Sequence, residues 1–166
     1  MSKASIAGTL VLMMLASPHS FAAEGHCAVS EKVVFSCAVG KKIVSVCSSS
    51  AGIQYRYGAI GALELKYPAV KPTLYDGVLY QGNLAFSAGG AEYARFINND
   101  YEYIVYSGQG QGWEQDGLMV VKAGKVISRK ACAALPVSNF AELGREGVEL
   151  DGDDVASEVW ELVQAE

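Results

Sequence analysis

Between Val33 and Arg129 apolar and polar positions alternate in short runs, separated by glycine, asparagine and aspartate. The runs are Val33–Cys37, Ile43–Cys47, Ile53–Tyr57, Ala62–Lys66, Val78–Phe86, Tyr93–Ile97, Tyr101–Tyr106, Leu118–Lys122 and Lys125–Arg129. A period of two residues over such lengths marks strands with one buried face, so nine strands are predicted. Asn98-Asn99-Asp100 and Ala123-Gly124 read as tight hairpin turns, because Asn, Asp and Gly tolerate the left-handed backbone these turns require. Tyr67-Pro68 to Pro72 reads as an exposed crossing, since proline cannot donate to a ladder. Gly108-Gln109-Gly110-Gln111-Gly112 reads as a flexible loop.

After Cys132 the pattern changes. Val155, Val159, Leu162 and Val163 recur at helical spacing and Trp160 widens the stripe, which predicts an amphipathic helix over Asp154–Gln164 with Asp153 as its cap. Its apolar face has two outlets: the domain's own sheet, or a partner. The fold expected is a small antiparallel β-sandwich or partly open barrel with a short C-terminal α-helix and two disulfides. The chain divides into a leader (1–22), a β domain (23–135) and an acidic extension (136–166).

The leader reads as a secretory signal. Lys3 precedes the apolar stretch Ile6–Ala16, Pro18 interrupts it, and Ser20-Phe21-Ala22 offers small residues at a peptidase site. The stretch is about half the roughly 20 residues a membrane span needs, so no anchor is expected after cleavage. The expected location is the periplasm of a Gram-negative bacterium, or outside the cell. An even number of cysteines in an oxidising compartment favours two disulfides. With a two-residue turn at Gly40-Lys41, Cys37 faces Val44 and Cys47 faces Val34, which puts the two cysteines on opposite faces and opposite ends of one hairpin. Cys27 enters near the end carrying Cys47. The expected pairs are Cys27–Cys47 and Cys37–Cys132.

Charge narrows the partners. The formal net charge of −5 argues against a nucleic-acid binder. The acidity is local: Glu142 to Glu166 holds nine acids against Arg145 alone, whereas Ala23 to Ala141 is slightly basic. After cleavage His26 is the one remaining histidine, beside Cys27 near the new terminus, a poor place for a rigid catalytic base. Glu92, Glu102, Glu114 and Asp116 are the carboxylates available for hydrolysis, and their spacing forces no pair together. Asp151-Gly152-Asp153-Asp154 lacks the register of a calcium loop. No enzyme activity, cofactor or metal is expected. Tyrosine, tryptophan and arginine anchor protein interfaces, which makes Arg56, Tyr57 and Trp160 candidate contacts.

Ser87-Ala88-Gly89-Gly90-Ala91-Glu92-Tyr93, followed by Asn99-Asp100-Tyr101-Glu102-Tyr103, resembles the small bacterial periplasmic lysozyme inhibitors. That group carries a Ser-Gly-x-x-Tyr-like loop on a disulfide-bearing antiparallel β fold and inserts it into the lysozyme's cleft. Ala88 interrupts the Ser-Gly pair here, and Tyr103–Gly108 lacks the Trp and Lys of the C-type inhibitors. The resemblance implies that Ser87 and Tyr93 contact the target, with Gly89 and Gly90 allowing close approach.

The expected function is therefore a secreted binding protein that blocks a cell-wall-lytic enzyme, or neutralises a delivered toxin as an immunity protein. The partner is expected to be basic and steered by the acidic tail. The alternative is an accessory envelope protein that assembles through its C-terminal helix.

Overall fold

The computed structural model describes residues 25–69, 75 and 77–165; the expected leader lies outside them. The nine expected strands are present, and all but β5, which starts one residue late, are longer than their apolar runs: β1 (Lys32–Val39), β2 (Lys42–Ser49), β3 (Gly52–Ala59), β4 (Ala62–Tyr67), β5 (Leu79–Phe86), β6 (Gly89–Asn98), β7 (Tyr101–Gly110), β8 (Trp113–Lys122) and β9 (Lys125–Ala131). Four short elements follow: β10 (Val137–Ser138), α1 (Ala141–Arg145), β11 (Glu149–Leu150) and α2 (Asp153–Gln164). One sheet has the order β10-β1-β2-β3-β4 and the other β11-β5-β6-β7-β8-β9. All pairs are antiparallel except β11 with β5. The sheets stay open, so the architecture is a sandwich and not a closed barrel.

The turns are those the sequence offers. Asn99 (φ 54°) sits between β6 and β7, and Ala123 (φ 47°) with Gly124 (φ 73°) joins β8 to β9. Positive φ at both central residues of the Ala123-Gly124 turn suits the right-handed twist of its flanking strands.

Two apolar layers hold the molecule together. Between the sheets lie Phe35, Val44, Val46 and Tyr55 from one side and Ala94, Phe96, Val105 and Leu118 from the other, all buried. The opposite face of the second sheet carries Tyr93, Ile104, Tyr106 and Met119, covered by Ala156, Val159, Trp160 and Val163 of α2. The second sheet is thus buried on both faces. That is why Ile104-Val105-Tyr106 and Leu118-Met119-Val120-Val121 are continuously apolar where a half-buried strand would alternate.

The extension is part of the same body. β10 pairs with β1, Phe140, Leu143 and Val148 enter the inter-sheet core, and Phe140 stacks on Phe35 with centroids 5.6 Å apart. Glu142 is buried beneath ion pairs with Lys32 and Arg145. The capping residue of α2 is Gly152, and Asp153 is instead its first helical residue. A carboxylate in the first turn still suits the helix dipole.

The disulfides are Cys27–Cys47 and Cys37–Cys132, the expected pairs. Cys37 faces Val44, as expected, but Cys47 faces Val33, because a bulge between Val33 and Phe35 shifts the register by one. Cys37 lies in the inter-sheet core, while Cys47 faces outward under the N-terminal segment.

Two local expectations are corrected. Gly108 and Gly110 belong to β7, and only Gln111-Gly112 turns. A Cβ on Gly108 would lie 2.3 Å from Cη2 of Trp160, and one on Gly110 would lie 2.2 Å from Nε1 of Trp113. These glycines seat two indoles against the strand. In the expected crossing Pro68 is buried and its carbonyl accepts from Gln54 Nε2 at 3.0 Å, while residues 70–74 lie outside the described ones.

Candidate functional site

The hairpins β5–β6 and β7–β8 turn at the same end of the second sheet, at Ser87-Ala88 and Gln111-Gly112. Strand register fixes what they carry. On the face turned toward the first sheet, the rung Ala94, Val105, Leu118 is core. Two residues nearer the tips the same face carries Asn83, Glu92, Ser107 and Asp116, paired in that order across four strands. The following rung is Ala85, Gly90, Gln109 and Glu114. The face thus passes from hydrocarbon to a polar surface within two residues. Asn83, Gln109 and Glu114 are exposed, while Glu92, Ser107 and Asp116 are half-buried. A cavity of about 420 Å³ is lined by Asn83, Glu92, Ser107 and Gln109, with Ser138 at its far side. Among the described residues the side chains of Glu92, Glu114 and Asp116 have no ion-pair partner.

The reverse face at this end is aromatic. Phe86, Trp113 and Trp160 form a triangle with centroids 5.8–6.0 Å apart, and Tyr106 meets Trp160 edge-on at 6.4 Å. Trp160 is only 4% exposed, and its Nε1 finds no hydrogen-bond partner among the described residues. The helix therefore docks on the protein's own sheet.

The residues expected to touch a partner fall into two groups. Ser87 and Gly89 are exposed at the β5–β6 tip, and Gly90 is half-buried beside them. A Cβ on Gly89 would come within 1.9 Å of the Gln109 carbonyl oxygen, so this glycine allows β7 to approach. Tyr57 is half-buried with Lys42 Nζ 5.2 Å from its ring centroid. The remaining three are internal. Tyr93 is fully buried, and its hydroxyl donates to Asp151 Oδ2 at 2.7 Å. Arg95 donates to the same carboxylate through Nε at 2.9 Å and through Nη2, and to Glu102 through Nη1 at 2.9 Å. Burial first, and then the Asp151 carboxylate, push the Tyr93 phenol far above its ordinary range, so it stays a neutral donor. A wedge made from Tyr93 is thereby corrected: the side chain clamps the chain just before α2. Arg56 grips Glu31 with two bonds of 2.6 Å and donates to the His26 carbonyl at 2.8 Å, which fixes the N-terminal segment across the first sheet. Trp160 closes the aromatic triangle from inside.

Sequence spacing alone does not reveal the polar rungs, because Glu92, Glu114 and Asp116 come from two different hairpins. Their alignment rests on the two-residue turn at Ser87-Ala88 and on the extension of β7 through Gly110. His26, the expected lone histidine, has Nε2 3.0 Å from the Gly58 carbonyl oxygen. Among the described residues no helix is long and apolar enough to cross a membrane.

Comparison with protein-family models, with curated proteins and with solved structures finds no match.

Proposed function

We propose that this is an exported binding protein that occludes a basic cell-wall-lytic enzyme, or a delivered toxin of similar charge, with the hairpin end of its second sheet. One observation carries the reading: Glu92, Glu114 and Asp116 lie on one accessible face beside the exposed Ser87-Ala88 tip, with no cation of the described residues neutralising them. Carboxylates held this way attract a basic surface and speed its encounter. The tip then enters the partner's cleft, and Tyr93 acts from within by holding the strand that carries it. Two disulfides support a location in the periplasm or beyond.

The accessory-protein reading is less well supported, because α2 spends its apolar face on the protein's own sheet. The test is a peptidoglycan-clearing assay with a basic lysozyme and the oxidised protein starting at Ala23. Inhibition that falls when Ser87 is replaced by arginine supports the proposal. Undiminished clearing by every basic wall hydrolase tried overturns it.

A further inference from the structure

A cavity of about 570 Å³ opens along one side of β8. Pairing of β8 with β9 starts only at Gly117↔Ala131, although β8 begins at Trp113. Past Cys132 the chain leaves this sheet for the other: the Ala133 N–H donates to the Ala38 carbonyl at 2.8 Å, and Val137 pairs with Ser36. The lane that β9 would have continued into is thus empty along Trp113–Asp116. Its last backbone bond is from the Cys132 N–H to the Asp116 carbonyl, at 2.9 Å. Alternate residues of a strand direct their backbone groups to the same side. The N–H and C=O of Glu114 therefore face this lane, and among the described residues nothing pairs with them there. Leu135 (75% exposed) and Val163 supply apolar wall, and Arg129 stands at the inner end.

We infer that this lane accepts an extended segment of a basic partner, which adds to the sheet beside β8. Backbone bonding to Glu114 would supply register, and the side chains of Glu114 and Asp116 would select lysine or arginine at alternate positions. A second copy of this chain is the other occupant that an open edge invites. Two β8 edges pairing antiparallel about Gln115 would set Glu114 opposite Asp116 twice, and like charges in directly opposed positions are unfavourable. The charge pattern thus selects a basic strand and disfavours self-pairing. The inference rests on the reading of this protein as a binder of a basic protein, and it names the mode of contact.

The probe is an acetylated octapeptide of alternating lysine and valine, added to the oxidised full mature chain. Hydrogen exchange read by NMR should slow at the Glu114 amide by about tenfold or more when an opening amide gains a partner. Glu114→Pro removes that N–H while leaving the β7 side of the ladder intact, and should abolish binding; proline is tolerated where the N–H faces away from the ladder. Glu114→Gln with Asp116→Asn keeps the backbone donors and should weaken binding by about fivefold, as expected for two exposed ion pairs. An unprotected Glu114 amide at saturating peptide overturns the inference. So does equal binding of a glutamate–valine octapeptide, or protection that rises with protein concentration alone, which would assign the lane to a second copy. If the peptide docks on β8 while no wall hydrolase is inhibited, only the functional reading falls. If inhibition occurs and the peptide does not protect Glu114, only the strand-addition inference falls.

Discussion

Replacing Gly108 with alanine would put a methyl group 2.3 Å from the Trp160 ring, with Ala91 3.2 Å away on another side. Trp160 cannot give way without moving α2, nor Ala91 without moving β6. The expected cost is about 1–3 kcal/mol, typical of overpacking. Chemical denaturation checks it, with tryptophan fluorescence reporting Trp160. A glycine alternation that reads as a loop is, at this position, a steric requirement of the helix above it. The sequence carries both halves of that contact, but nothing in it links residue 108 to residue 160. At Glu31, hydrogen bonds from Arg56 hold the carboxyl below its ordinary value of 4.5, against the opposing effect of burial. The group is more acidic folded than unfolded. Its contribution to stability is complete above the ordinary carboxylate range and is lost as pH falls through the lowered value. Arg56→Met should therefore flatten the acid side of the stability profile, as measured by denaturant titration from neutral pH into the acid range.

At the scale of elements, strands were legible and their extents were not. Period-two patterning locates all nine long strands, because seven have buried positions and the edge strands β4 and β9 still alternate half-buried with exposed ones. It stops short at the hairpin ends, where β7 and β8 continue through Ser107–Gly110 and Trp113–Asp116 with polar residues and glycine. Those ends are where the candidate site lies. The α2 helix was legible from its apolar stripe, but its anchor was not. Asp151, within a segment that hints at calcium, instead receives Arg95 and Tyr93. Asp151→Asn leaves Arg95 with Glu102 alone and should cost about 3 kcal/mol, the lower range for breaking a buried pair. Hydrogen exchange of α2 should accelerate more than that of β2 in this variant, since the clamp sits at the start of the helix. The β10, α1 and β11 elements carry too few residues to show a period, and tertiary pairing alone defines them.

For the whole molecule, the two disulfides have unequal work. Cys37–Cys132 closes a separation of 95 residues and links the sheets, whereas Cys27–Cys47 closes 20 and fastens the N-terminal segment. Loop-closure entropy assigns about 4.7 kcal/mol to the longer and about 3 kcal/mol to the shorter. Replacing Cys37 and Cys132 with serine should therefore lower Tm more than replacing Cys27 and Cys47, as calorimetry would show. The pairing was legible because one hairpin's parity excludes Cys37–Cys47 and Cys27 enters near the end that carries Cys47; the bulge at Val33 altered the register without altering that outcome. The site was legible only in part. Ser87 and Gly89 lie at an exposed tip, but Tyr93, Arg56 and Trp160 are occupied internally, because residue type says what a side chain can bind and not which face it will occupy. Charge is likewise redistributed: Glu142 and Asp151 of the acidic tail are buried in internal pairs, and the unpaired carboxylates of the hairpin end belong to the domain before it.

The most direct measurement is the association rate of the oxidised protein with a basic cell-wall hydrolase at low ionic strength, for the native chain and for Glu92→Gln/Asp116→Asn. Slower association and weaker inhibition are expected for the double variant, with the difference shrinking as salt is added. Equal rates and equal inhibition for the two proteins would contradict the proposal.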